Sequence, residues 1–290
     1  MSPRVRFAPS PNGLLHLGHA WSALLNHGAA QASGGTFLLR IENIDQTRAR
    51  AVFEAAILED LDWLSILPEG RPRRQSEHLD LYAAALSRLE ALGLIYPAFE
   101  SRAQITAEAD RRSAVGTWPN DPDGAPLYPF ARTDLSEAER TRRKARGEPH
   151  VLRLDMGAAL AMVNRDLTWR EAQNDPLADS IEVAADPGRW GDVILARRDV
   201  PASYHLCVVM DDAWQDISHV IRGADLYAAT GLHRLLQTLL SLPEPIYHHH
   251  RLILDVRGHK LSKSAGSPCL RDLRMAGETP KSLRRNLGLA

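Results

Sequence analysis

The sequence predicts an α/β protein: a parallel sheet with helices on both faces, interrupted by an inserted α+β lobe. Three observations carry that expectation. Strand-like and helix-like segments alternate from the start of the chain, the texture changes near Tyr96 to a stretch dense in Pro, Asp, Arg and Gly, and apolar strand-helix texture returns from GDVILARR onward. Alternation with short connections favours parallel strands covered by helices.

The elements follow in order. RVRFA at residues 4–8 reads as a short strand that stops at the turn-forming PSPNG. LHLGHAWSALLNHGAAQA has apolar residues at helical spacing, and Gly34-Gly35 ends it. TFLLRIE is a continuous apolar run of the kind found in buried parallel strands, followed by the amphipathic VFEAAILEDLDWLSI. TWPNDPDGAPLYPFARTD then leads into a charged helix and short strands such as HVLRLDM, the inserted lobe. SYHLCVVMDDAWQDISHVIRG and GLHRLLQTLLSL resume the sheet.

Composition narrows the class. A chain of 290 residues with 44% hydrophobic and 24% charged residues buries a sizeable core. The N-terminus lacks an apolar run of signal-peptide length and no stretch reaches the roughly 18 apolar residues of a membrane span, so a cytoplasmic, membrane-free protein is expected. Cys207 and Cys269 form no Cys-x-x-Cys pair, which argues against a disulfide framework or a thiolate zinc cluster. A formal net charge of -1 gives no global attraction to a polyanion, so nucleic acid would be held by local patches. RTRRKAR at 140–146 is one candidate patch, and equally the solvated face of a helix.

Two short motifs point to phosphate. PSPNGLLHLGH falls at a strand-to-helix turn, where a helix N-terminus offers unpaired N–H groups and a positive dipole end. His16 and His19 stand three apart and project from one side of that first turn. Such a pair also fits ordinary polar surface. Near the other end, VRGHKLSKSAGS is a polar, glycine-flanked loop whose Lys260 and Lys263 suit a triphosphate. No Gly-x-x-x-x-Gly-Lys-Ser/Thr loop occurs, which excludes P-loop chemistry.

Together, HLGH and KLSKS at opposite ends of an interrupted sheet resemble the HIGH and KMSKS signatures of class I aminoacyl-tRNA synthetases. RFAPSPNGLLHLGHA, GGTFLLRIENID and SYHLCVVMDDAWQDISHVIRGADL are similar to the glutamyl- and glutaminyl-tRNA synthetases, the last including that family's tyrosine-bearing strand. The resemblance implies an ATP site of Pro11, Gly13, His16, Gly18, His19, Lys260, Leu261, Ser262 and Lys263. His16, His19, Lys260 and Lys263 would be the catalytic members. Mg²⁺ would enter on the triphosphate, held by phosphate oxygens and water with no dedicated protein ligand. Glutamate would be held by Arg6, Ser10, Glu42, Tyr204 and Arg222. Arg6 and Arg222 suit carboxylates through paired N–H bonds, Ser10 and Tyr204 supply hydroxyls, and Glu42 suits the ammonium. Arg6 and Glu42 also fit a strand-edge ion pair, and Tyr204 fits a core residue with its hydroxyl at the surface.

This reading divides the chain into the first half of a Rossmann-like catalytic domain (1–95), the inserted lobe (96–186), the second half (187–245), and the KLSKS loop with a short helical segment (246–290). The sequence ends soon after KLSKS, so no anticodon-binding domain is expected. That shortness, with IRGADL, resembles the glutamyl-Q tRNA(Asp) synthetase family, which attaches glutamate to queuosine at the wobble position of tRNA(Asp). L-glutamate, ATP and queuosine-containing tRNA(Asp) are the implied partners of a monomer, with Arg132, Arg142 and Arg143 as candidate phosphate contacts. Several members of that family bind zinc through a segment like YPCFC. Here YPAFESR puts Ala98 and Glu100 at the first two cysteine positions, so no zinc is expected. The HHH run at 248–250 does not replace it, because neighbours on an extended segment point to opposite faces. Asn43 stands where the family usually has an aspartate. Rival readings are a truncated glutamyl-tRNA synthetase charging tRNA(Glu), an inactive tRNA- or protein-binding module, and a nucleotidyltransferase of related fold.

Overall fold

The computed structural model describes residues 2–254 and 268–289. Lys260, Leu261, Ser262 and Lys263 lie outside the described residues. Strand β1 (Arg4–Phe7) pairs in parallel with β2 (Thr36–Ile41), and β3 (Arg73–Arg74) pairs beyond it. The connection between β1 and β2 is helix α1 (Leu17–Ser33), closed by Gly34 at φ 59°, a left-handed cap that costs glycine nothing. Helix α2 (Ala51–Trp63) packs on this sheet, and α3 (Leu79–Ala91) follows β3 into a separate core.

A second sheet runs β7 (Ser180–Ala184), β6 (Thr168–Ala172), β10 (Ile246–His250), β9 (His219–Gly223). β10 lies parallel to β6 and β9, while β7 pairs antiparallel at the edge. The Ser218 N–H donates to Arg4 O at 3.0 Å and the Arg4 N–H to Ser218 Oγ at 2.8 Å, which sets β9 beside β1. Strand order therefore reverses between β1 and β9. In an open α/β sheet, ligands bind at the carboxyl ends of the strands at such a switch point.

A third, antiparallel sheet joins β4 (Ile95–Ala98), β5 (Val151–Leu154) and β8 (Ile194–Arg197). Its pairing crosses the expected division at 186/187: β8 belongs to the lobe sheet, and β6 and β7 to the sheet of β9 and β10. An apolar run announces a buried strand without announcing its partner, so GDVILARR gave no sign of which sheet it joins. A second correction concerns Tyr204. YHLCVVMDDAW is helix α7 (Tyr204–Trp214), capped by Ser203 Oγ, and not a strand. Leu206, Cys207, Val208, Val209, Asp211 and Asp212 are all buried, so the helix shows no amphipathic period and its apolar run imitates a strand.

Two cores support these layers. One packs α3, α7 and α8 (Ala229–Leu239) against β5 and β8, around Leu89, Leu195, Leu206, Leu232 and Leu236. The other packs α1 and α2 on β1 and β2, and includes Leu270 of α9 (Leu270–Met275) and Leu283 of α10 (Pro280–Leu287). Each fully buried Leu or Ile contributes roughly 1.5–3 kcal/mol. In the lobe, α4 (Arg102–Ser113) and α5 (Glu137–Ala145) stand outside the third sheet. Arg140 is buried, donates to Pro97 O at 2.8 Å and lies 4.8 Å over the Tyr96 ring. Arg143 lies 4.1 Å over Phe99 and pairs with Glu148, Arg142 pairs with Glu139, and Arg132 lies 3.6 Å from Asp155. Ala98 is buried and Glu100 accepts from the Tyr128 hydroxyl. Among the described residues no group of three or more His, Cys, Asp or Glu is placed to hold a metal ion, and no helix is long and apolar enough to cross a membrane.

Candidate active site

Two cavities meet at the switch point. One of about 690 Å³ is lined by Arg6, Ser10, His16, His19, Glu42, Tyr204 and Arg222 among others. The second, about 710 Å³, extends to the lobe past Tyr128, Trp190 and His205. They share Ser10, Asn12, Glu42 and Tyr204. Pro11 lines the larger cavity, while Gly13 is buried in the bend before α1 and lines neither.

The two motif histidines cap α1 reciprocally. The Gly18 N–H donates to His16 Nδ1 at 3.1 Å, and the His16 N–H donates to His19 Nδ1 at 3.2 Å. An Nδ1 that accepts carries no proton, so these partners assign the proton of both rings to Nε2. The rings lie 3.9 Å apart and each presents an N–H donor at a helix N-terminus, a setting suited to a developing phosphate charge. Gly18 leaves room for this arrangement: a Cβ there would stand 3.0 Å from His16 Cε1 and press on the ring.

The cavity lined by His16 also holds two guanidiniums in different surroundings. Arg6 donates from Nε to Asp212 Oδ1 at 2.9 Å and from Nη2 to Asp212 Oδ2 at 3.4 Å. Arg40, fully buried, donates to the same Asp212 Oδ1 at 2.7 Å and to Glu42 Oε1 at 3.1 Å. Asp211, beside it on α7, accepts from Arg73 at 2.8 Å, Gln75 at 2.9 Å and the Tyr82 hydroxyl at 2.9 Å. Three cations, Arg6, Arg40 and Arg73, thus meet three anions, Glu42, Asp211 and Asp212. Burial would raise the Asp212 carboxyl, but Arg6 and Arg40 outweigh it and hold it below the usual range. Burial prevails at Glu42, whose pKa is raised despite Arg40 and Arg6.

Arg222 is different. It donates to His249 Nε2 at 3.1 Å, His233 Nδ1 at 3.0 Å, Thr230 Oγ1 at 2.8 Å and Leu226 O at 3.2 Å. Every one of these acceptors is neutral, and among the described residues no carboxylate reaches this buried cation. Burial and the nearby Arg222 lower His205 to about 4; burial, then Arg222, carry His233 well below 6.5. His249 is also held at about 4, by burial and Arg222 against the opposing hydrogen bond to Glu171. Tyr204, its ring 5.9 Å from His233, is pushed up to about 12 by burial, so its hydroxyl stays protonated.

Arg6, Ser10, His16, Gly18, His19, Glu42, Tyr204 and Arg222 therefore all line one cavity. Sequence reasoning did not single out Arg40, Arg73, Asp211 and Asp212 as one network, nor His233, His249 and Glu171. For Arg40, Asp211, Asp212 and His233 a signal was present, since ionisable residues embedded in the apolar runs FLLRIE, VVMDDAW and GLHRLLQTLL are expected to be paired or functional, but nothing in the sequence named their partners, nor marked Arg73, His249 or Glu171.

A helix N-terminus carrying two histidines beside a buried arginine with neutral partners, at the switch point of a split parallel sheet, is the arrangement of a class I synthetase catalytic domain. The chain belongs to the family described as "tRNA synthetases class I (E and Q), catalytic domain", which it matches over residues 3–289. It is 43% identical to the Glutamyl-Q tRNA(Asp) synthetase of Rhodobacter capsulatus, over 98% of this chain and 99% of that protein. It is 37% identical to the Glutamate--tRNA ligase of Synechococcus sp., over 99% of this chain but 58% of that protein. Among solved structures, the glutamate-tRNA synthetase from Elizabethkingia anophelis superposes with TM-score 0.72 at 29% identity, covering 96% of this chain and 54% of that one. The methionyl-tRNA synthetase of Mycobacterium tuberculosis, at 14% identity and TM-score 0.57, shares the fold.

Proposed function

We propose that this chain activates L-glutamate with ATP and transfers it to queuosine at the wobble position of tRNA(Asp). In the first step an α-carboxylate oxygen of glutamate attacks the α-phosphorus of ATP in line; the bond to the bridging oxygen breaks, giving glutamyl-adenylate and pyrophosphate. Such a step relies on positioning and charge stabilisation. His16 and His19 donate their Nε2–H groups to the α-phosphate oxygens, and Lys260 and Lys263 take the departing pyrophosphate. Mg²⁺ enters with ATP, bound by phosphate oxygens and water. In the second step a hydroxyl of the acceptor attacks the adenylate carbonyl and AMP leaves.

The observation that carries the amino-acid assignment is the carboxylate-free Arg222 beside Tyr204 and Glu42. A substrate carboxylate supplies the missing counter-ion, and an amide would leave the guanidinium poorly paired, a penalty of about 1–3 kcal/mol. Glu42 faces the same space and suits the ammonium. The larger cavity, joined to the first at Ser10 and Tyr204, gives the acceptor its route to the adenylate. The choice of queuosine rests on the 43% identity, along the whole length, to a protein named for that activity.

Labelled glutamate is supplied with ATP and Mg²⁺ to tRNA(Asp) from queuosine-proficient and queuosine-deficient cells, with tRNA(Glu) alongside. The expected result is label on queuosine-containing tRNA(Asp) alone, surviving removal of the 3′-terminal adenosine. Label on tRNA(Glu) that leaves with that adenosine would replace the acceptor and keep the glutamate and ATP sites.

A further inference from the structure

The Arg222 shell extends outward in two branches. A guanidinium only donates, so His249 Nε2 and His233 Nδ1 must both be unprotonated. The His249 proton then sits on Nδ1, 2.9 Å from Glu171 Oε2 and 3.0 Å from Oε1. Glu171 is itself fixed by the His249 N–H at 2.9 Å and the Trp169 indole N–H at 3.0 Å. On the other branch the His233 proton sits on Nε2 and is donated to His205 Nδ1 at 3.1 Å. The rings are held by packing as well: Tyr247 stacks parallel to His249, and Trp190 meets His205 edge-on at 5.1 Å.

We propose that Glu171 through His249, and His205 through His233, are positioning residues that fix Arg222 while keeping its charge unpaired, and that they set selection of glutamate over glutamine. The inference rests on the reading of Arg222 as the partner of a glutamate carboxylate. Its physical content is insulation. An imidazole accepts the guanidinium hydrogen bond without neutralising it, so Glu171, bonded to His249, orients the site from one ring away. A carboxylate in either ring position would hold Arg222 equally well and compete directly with the substrate. At Asp212, beside Arg6, the fold does place such a carboxylate, which marks the exclusion at Arg222 as a property of that site.

ATP–pyrophosphate exchange with tRNA present, reading KM for glutamate, KM for ATP and the glutamate-to-glutamine ratio of kcat/KM, tests this. His233→Asp puts a carboxylate against Arg222. The expected result is a rise in glutamate KM of about 30-fold or more and a collapse of the glutamate preference, with ATP KM within about two-fold. His233→Asn, which keeps an acceptor near the Nδ1 position but loses the donor to His205, should raise glutamate KM about three- to ten-fold, well short of His233→Asp, and leave ATP KM within about two-fold. Glu171→Gln, which touches no substrate, should raise glutamate KM about three- to ten-fold and leave ATP KM alone. Arg222→Gln separates the two levels. If it leaves glutamate KM unchanged, the glutamate reading itself is wrong. If it raises glutamate KM while His233→Asp and Glu171→Gln leave the amino-acid preference intact, the glutamate reading stands and the positioning role is overturned. Equal losses for glutamate and ATP in His233→Asp and Glu171→Gln would also overturn it, since a merely structural role moves both.

Discussion

The corner built on Asp211 and Asp212 and the corner built on Arg222 are both buried and both rich in charge, yet they are wired oppositely. Around Asp211 and Asp212, three arginines from β1, β2 and β3 meet three carboxylates. Around Arg222, a single guanidinium meets two imidazoles, a hydroxyl and a carbonyl. The charges at Asp211 and Asp212 balance internally and lock α7 against the first sheet, with only Arg6 and Glu42 at the edge of the cluster reaching the cavity. A buried cation left with neutral acceptors has its electrostatic need met only by a ligand. Scaffold and receptor are thus distinguished by the charge balance of their partners, not by burial or composition.

The sharpest way to break the comparison is to unbalance the first corner. Asp212→Ala leaves Arg6 and Arg40 facing each other without their shared carboxylate. Removal of one partner from a buried pair costs about 3–5 kcal/mol, so urea unfolding should show a loss of that size or no folded protein. A stable variant with only its glutamate KM altered would mean that the corner is a binding site and not a scaffold. The second corner should respond in the opposite sense. Arg222→Met removes a buried charge that has no carboxylate partner, so melting should stay level with the parent or rise, while glutamate-dependent exchange falls about 100-fold or more. If Arg222→Met unfolds as readily as Asp212→Ala, the distinction between the corners fails.

How much of this was legible differs between the two corners. Arg6, Glu42, Tyr204 and Arg222 were readable because each sits in a segment resembling a known motif. The first sheet was readable because RVRFA, α1 and TFLLRIE are joined by short connections and alternate plainly. The balancing partners were not readable. Asp212 meets Arg6 across 206 positions and Glu171 meets His249 across 78, and no periodicity reports so distant a pairing. The same blindness misplaced β8, whose apolar run fits either sheet. The strand reading of α7 came from resemblance, and its largely buried run of Leu206 to Val209 offered no clear period to overturn it.

Acid should weaken the receptor corner through its neutral rings. Folding lowers His205 and His249 from 6.5 to about 4, so between those values the unfolded chain binds protons that the folded chain refuses. Their contribution to stability is therefore complete above pH 6.5, is lost as pH falls towards 4, and changes no further below that. The raised pKa of Glu42 acts in the opposite direction, which makes the net slope alone uninformative. The comparison with His205→Asn isolates the histidine: its stability-versus-pH curve should be flatter than the parent's between pH 6.5 and 4, by on the order of a few kcal/mol across the window. Parallel curves would place the charging of His205 elsewhere than in the folding equilibrium.

The smallest effect tests whether the phosphate side is independent of both corners. At Gly18 an added methyl would press on the His16 ring at 3.0–3.2 Å, close enough to shift the imidazole from the Gly18 N–H that it caps. The backbone there is helical and alanine favours a helix, so stability should change by less than about 1 kcal/mol. The expected cost of Gly18→Ala falls on the α-phosphate: kcat for exchange drops about ten-fold while glutamate KM and the glutamate preference hold. The two corners share a cavity with His16, and among the described residues neither Arg222 nor Arg6 hydrogen-bonds to His16. A shift in amino-acid preference in Gly18→Ala would therefore reveal coupling between phosphate and carboxylate recognition that the hydrogen-bond network does not contain.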